Sequence, residues 1–228
     1  MTDRHQENRN RTPRGGTRED RATVRALLDR HGRTYAADAG IRLRNTPQPL
    51  YQLLVLSTLL SARIRADVAV AAARALFAAG LRSPRRMAES DWQQRVDALG
   101  EGGYRRYDER TATMLGRGAG LVLENHGGDL RRLREDPDPA KRLREIPGIG
   151  PTGADIFLRE VQGIWPEHAP FIDRKAQDGA ERLSLPTAPR SLRRPVGRDE
   201  QLPGLAAGLV RVALDRRTAE DVREAAAA

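Results

Sequence analysis

From Arg21 onward the chain carries apolar residues at helical spacing, with Val24, Leu27 and Leu28 on one face and charges opposite. No sustained alternation of β-branched or aromatic residues appears, so the pattern predicts a string of short helices and no strands. Thr46-Pro47-Gln48-Pro49 halts one segment and starts the next, 50–60, which is apolar on most sides and is predicted to be a buried central helix. Residues 65–79 are alanine-rich and amphipathic, and end at Gly80, the residue type that turns most easily out of a helix. Ser83-Pro84 and Glu89-Ser90-Asp91 read as the starts of two further short helices, the glycines of 100–103 as a turn, and 107–124 and 138–145 as helices. Residues 186–203 read as a loop rich in proline and arginine, followed by one or two helices and an alanine tail. Residues 1–20 show no apolar periodicity and are expected to form a disordered arm.

Composition narrows the class. In 228 residues, 39% hydrophobic side chains supply a core and 31% charged ones cover it, which is globular usage for one large domain or two small ones. Forty basic against 31 acidic side chains leave a net charge of +9, a surplus that favours an anionic partner such as nucleic acid. Only Lys141 and Lys175 among those cations are lysines, so an amine nucleophile has two candidates. The absence of cysteine excludes disulfides, thiolate nucleophiles and cysteine-ligated zinc or iron–sulfur centres, and no two of His5, His31, His126 and His168 stand at a metal-ligand spacing. No apolar secretory segment is visible and the apolar stretch 53–60 is too short to span a bilayer, so a soluble cytoplasmic protein is expected.

The most informative segment is 146–175. Pro147-Gly148-Ile149-Gly150 lies between two predicted helices, and its two glycines allow a tight turn with no Cβ to obstruct a phosphate. Pro151 fits the first turn of the next helix, whose free N–H groups form an anion site. Those letters alone are equally consistent with an ordinary interhelical turn. Asp173, in Pro170-Phe171-Ile172-Asp173, is delivered by an apolar run to the start of another helix, where an aspartate often serves only as an N-cap.

Taken together, hairpin, proline-rich connection and aspartate resemble the helix–hairpin–helix DNA glycosylase superfamily typified by endonuclease III. Leu59-Leu60-Ser61-Ala62-Arg63 followed by Asp67-Val68 is similar to the family segment whose glutamine fills the hole left by a flipped base. Residues 98–112 are similar to the family loop carrying the wedge that opens the duplex. The resemblance runs from about 49 to 185 and implies an all-α fold of two helical domains. One domain would be a six-helix body over 45–160 containing the hairpin, and the other would combine 21–44 with 161–228. Asp173 would lie in a DNA-binding cleft between them.

The resemblance also implies roles. Asp173 would stabilise an oxocarbenium-like sugar and orient or activate water, while a pocket reads the extruded base. Relatives that also cut the backbone have a lysine where this chain has Thr152, and a hydroxyl forms no Schiff base, so a monofunctional glycosylase with water as nucleophile is implied. Thr152 would hold that water or simply belong to the first helical turn. Lys175, two residues past Asp173, is a phosphate contact, a surface charge or a relocated lyase nucleophile. Pro147, Gly148, Ile149, Gly150 and Gly153 would form the DNA-binding hairpin, Tyr104 or Tyr107 the wedge or an anchor for its loop, and Arg63 the gap-filling residue. Pro151 replaces a cation of lyase relatives, for which Arg105 and Arg106 or the arginines at 182, 190, 193, 194 and 198 would compensate. No cofactor is expected beyond a monovalent cation that family hairpins hold on backbone carbonyls. The expected partner of this monomer is double-stranded DNA with a damaged or mismatched base, and the lesion itself is left open. The alternatives are a catalytically silent protein that recognises damaged DNA and, less favoured, a helical protein–protein adaptor.

Overall fold

A computed structural model of the chain describes residues 16–228, and residues 1–15 of the expected arm lie outside the described residues. The described residues are all-α, with no strand among them. In chain order the helices are α1 Arg18–His31, α2 Tyr35–Asp38, α3 Pro47–Leu60, α4 Ala66–Ala78, α5 Pro84–Glu89, α6 Trp92–Glu101 and α7 Asp108–His126. They continue with α8 Pro139–Arg144, α9 Pro151–Val161, α10 Arg174–Arg182, α11 Pro189–Arg193, α12 Leu202–Leu214 and α13 Arg216–Ala227. None of these helices is long and apolar enough to cross a membrane.

The chain divides into two units, 33–169 and a terminal unit made of the segment through Gly32 together with 170–228. Segments 33–44 and 161–169 therefore belong with the hairpin, not with the terminal helices as the resemblance implied. The reason is local to the hairpin unit. The buried Glu160 carboxylate accepts the N–H groups of Tyr35 at 3.0 Å and Ala36 at 3.1 Å, satisfying the start of α2. Trp165, fully buried, donates its Nε1–H to Asn45 Oδ1 at 2.9 Å.

At the centre of the hairpin unit is α3, whose Leu50, Tyr51, Leu53, Leu54, Val55, Leu56 and Leu59 are all buried, as an apolar surface on nearly every side requires. It packs against α4 and α9, while α4 packs on α6 and α7 lies against α5 and α6. Ser83 and Asp91 cap α5 and α6 by accepting the N–H groups of Arg86 and Gln94. Arg95 ties these elements together from within: its buried guanidinium donates to the carbonyls of Ala112 at 2.9 Å, Met87 at 3.2 Å and Ser90 at 2.6 Å. Burial lowers its pKa, and the nearby Asp91 carboxylate opposes that shift.

In the terminal unit α12 is buried along nearly its whole length and is crossed by α10 and α1. The first helix starts at Arg18 rather than after residue 20, which corrects the expected extent of the arm. Thr17 and Asp20 form a reciprocal capping box in which Thr17 Oγ1 accepts the Asp20 N–H and Asp20 Oδ2 accepts the Thr17 N–H, both at 3.0 Å. The stretch expected to be one loop over 186–203 contains α11, a 3-10 turn over Asp199–Gln201 and the first residues of α12.

Helix α13 is held to α1 by Asp221, which accepts from Arg30 Nη1 and, at 2.8 Å, from His31 Nε2. The His31 hydrogen bond, followed by that of Arg30, holds the Asp221 carboxyl below its ordinary pKa of 3.8. A depressed carboxylate contributes stability that is complete above the unfolded pKa and is lost as pH falls through the lower folded one. The urea midpoint of the wild type should therefore fall more between about pH 5 and pH 2 than that of Asp221→Asn. Parallel curves for the two proteins would show that this contact carries no stability.

Candidate nucleic-acid interface

The hairpin follows directly from its residues. Ile146 and Ile149 are buried and Ile149 N–H donates to Ile146 O at 3.0 Å, closing the turn, while Gly148 and Gly150 stay exposed. Gly148 has φ +92°, and a Cβ there would lie 3.1 Å from Thr58 Cγ2 and 3.2 Å from Met114 Cβ, so both conformation and space call for glycine. Gly150 is the N-cap of α9, no side chain caps that end, and Pro151 takes the first turn. The positive end of the helix is thus presented on bare backbone, a setting suited to a phosphate. Gly153 is buried, and a Cβ on it would meet Ile149 Cδ1 at 3.4 Å. Together with Ile149, Gly153 supports the turn from beneath.

A cavity of about 600 Å³ opens beside the turn, within the hairpin unit. Three segments distant in sequence line it: the hairpin with Gly148, Ile149 and Gly150, the 61–63 loop with Ser61 and Arg63, and the region from Tyr104 to Met114. Tyr104 is only 1% exposed and its hydroxyl accepts from Thr111 Oγ1 at 3.3 Å, while burial raises its pKa. A ring so enclosed cannot enter a duplex, so of the two roles open to Tyr104 the structure leaves the anchor. Tyr107 is half-buried with the Arg106 guanidinium 5.3 Å from its ring centroid, and Arg105 and Arg106 are exposed. Arg63 is exposed on the loop after α3. Arg110, missed by the sequence reading, also lines the cavity; it stands three residues after Tyr107 at the start of α7, a helical spacing that would have found it.

Asp173 lies in the terminal unit as the half-buried N-cap of α10. Its Oδ1 accepts the Ala176 N–H at 2.9 Å, and Gln177 Nε2 donates to Ile172 O at 3.0 Å, fixing the entry to the helix. Lys175 is exposed and its Nζ lies 3.2 Å from Asp178 Oδ2, a surface ion pair. Thr152 is exposed on the first turn of α9. Arg190, Arg194 and Arg198 are exposed around α11, and Arg193 pairs with Asp199. A chain without cysteine does not fit a cysteine-ligated cluster, and the described residues hold no group of three His, Asp or Glu arranged to take a metal ion.

No family model matches the chain, and no curated protein matches it. Similar solved structures include a trapped endonuclease III–DNA covalent intermediate with an estranged adenine, at 16% identity and TM-score 0.47, covering 83% of this chain and 84% of that one. A non-covalent endonuclease III–DNA complex has 16% identity and TM-score 0.48 over the same shares of the two chains. At this overlap neither residues nor roles transfer from those proteins to this chain.

Proposed function

We propose that this protein is a monofunctional DNA glycosylase that releases a damaged or mispaired base by hydrolysis. The observation that carries the reading is the cavity beside the hairpin, where the bare N-terminus of α9, Arg63 and Tyr107 converge from three separate segments. The bare helix N-terminus suits a phosphodiester backbone, and guanidinium groups beside a half-buried aromatic suit a base of the opened duplex.

In the proposed reaction the glycosidic C–N bond breaks with its electron pair leaving on the base, which takes up a proton from solvent, to which Asp173 later returns the proton it accepts. Positive charge develops on the sugar, and the Asp173 carboxylate stabilises it. Water then adds its oxygen to the sugar C1′ and gives up a proton, with Asp173 as the accepting group. Support for Asp173 comes from its fixed position at a helix start behind the buried Ile172. Thr152 offers no amine for a Schiff base, and the Lys175 ammonium is held at the surface by Asp178. The substrate on this reading is double-stranded DNA, bound by a monomer.

The test is a panel of alkylated, deaminated, oxidised and mismatched duplexes, each treated with alkali after incubation. Strand breaks that appear only with alkali, and only with Asp173 intact, are the expected outcome. DNA binding with a steep salt dependence and every base left in place would instead identify a silent damage-recognition protein. Borohydride added during turnover should trap no covalent protein–DNA adduct. An adduct that disappears in Lys175→Ala would establish a bifunctional enzyme with a relocated lysine.

A further inference from the structure

Hydrogen-bond accounting inside the cavity gives it a definite polarity. Thr58 Oγ1 donates to Leu54 O at 3.0 Å, and Ser61 Oγ donates to Thr58 O at 2.8 Å. Each of these hydroxyls has spent its single proton on backbone and offers a ligand only acceptor lone pairs. The charged groups on the lining are Arg63 and Arg110, and neither guanidinium is engaged in an ion pair among the described residues. No carboxylate lines the cavity. The site therefore combines forked N–H donors with nearby hydroxyl acceptors, and Tyr107 and Met114 supply apolar contact.

Resting on the glycosylase reading above, we infer that this cavity receives the base left unpaired opposite the excised one and selects cytosine there. Cytosine is the base whose pairing edge has two adjacent acceptors, O2 and N3, beside one donor, the N4 amino group. A guanidinium fork can donate to both acceptors in parallel, and the amino group can donate to a spent hydroxyl such as that of Ser61. On its pairing edge guanine presents two donors to the same fork and would be repelled, its O6 and N7 acceptor pair lying on the major-groove edge. Thymine separates its acceptors by an N–H, and adenine has one acceptor, so each satisfies half of the fork. An orphaned cytosine means that the excised partner is a guanine derivative or a base mispaired with cytosine, which narrows the substrate to lesions of C-containing pairs.

The experiment measures binding of the full chain to four duplexes that carry a tetrahydrofuran abasic analogue opposite A, C, G or T. The duplex with cytosine should bind roughly 10- to 100-fold more tightly than the one with guanine, the scale of one bidentate arginine–base pair. Arg63→Gln and Arg110→Gln should flatten that ranking, and because both side chains are exposed the variants should melt with the wild type. A wild-type ranking that is flat or favours another base overturns the inference. So does an equal weakening of all four duplexes with a shallower salt slope, which would assign the arginines to phosphates. A cytosine preference in binding with no base release from any lesion would leave the cavity's selectivity standing and refute catalysis. Base release that ignores the opposite base would do the reverse.

Discussion

Asp173→Asn should reduce base release by about 10²- to 10⁴-fold, the usual contribution of a positioned acid–base group, with no change in melting temperature or in affinity for the same duplex. The substitution keeps the helix cap and removes the charge. Asn and Asp are equivalent as N-caps, and the Asn side-chain oxygen can accept the Ala176 N–H that Asp173 Oδ1 accepts at 2.9 Å. What disappears, in the proposed reaction, is the negative charge that would face the developing sugar cation and the capacity to take a proton from water. Asp173→Ala removes charge and cap together, so it should lose the same activity and in addition about 1 kcal/mol of stability. Single-turnover rates on the preferred lesion, read beside thermal melts, separate the two effects. Equal rates for wild type and Asp173→Asn would leave Asp173 as a helix cap and nothing more.

Where a residue's role depended on neighbours in sequence, the pattern was readable. The apolar surface of 50–60, the Ser83 and Asp91 caps, and the PGIG turn before Pro151 all act within a few residues of themselves. Roles set from a distance were not. Helix α2 is four residues long; Thr34 caps it locally, but its Tyr35 and Ala36 N–H groups are met by Glu160, 125 and 124 positions away, so the Thr34 cap is its main nearby signal. The start of α1 is a local feature and still escapes the apolar pattern, because its Thr17–Asp20 capping box precedes an apolar face that begins only at Thr23 and Val24. Tyr104 sits among glycines and arginines, which suggests an exposed tip. It is drawn inward because Gly102 passes against the Ala72 backbone, where a Cβ would come within 2.2 Å of Ala72 Cα, and Gly103 turns at φ +80°. That approach belongs to the packing of the chain after α6 against α4, and no local rule encodes it.

The same kind of contact sets the second large effect. Gly179→Ala should destabilise the protein by about 1–2 kcal/mol, the cost of overpacking a core less the helix propensity that favours Ala over Gly by about 1 kcal/mol. Gly179 is buried where α10 crosses α12, and a Cβ there would stand 1.9 Å from Leu209 O and 2.6 Å from Leu209 C. Both are backbone atoms within a helix, so relief requires the two helices to part instead of a side chain turning aside. Gly120→Ala in α7 is the matched control: a Cβ at that position meets nothing within 4 Å, so propensity should prevail and raise stability by up to about 1 kcal/mol. Opposite shifts of the urea midpoint in the two variants would show that the tight crossing decides the sign. A stabilised Gly179→Ala would mean that α10 lies further from α12. Asp173 caps the same helix six residues earlier, so parting α10 from α12 also moves the carboxylate. Gly179→Ala should therefore lose base release even at temperatures where it stays folded, whereas Gly120→Ala should keep the wild-type rate.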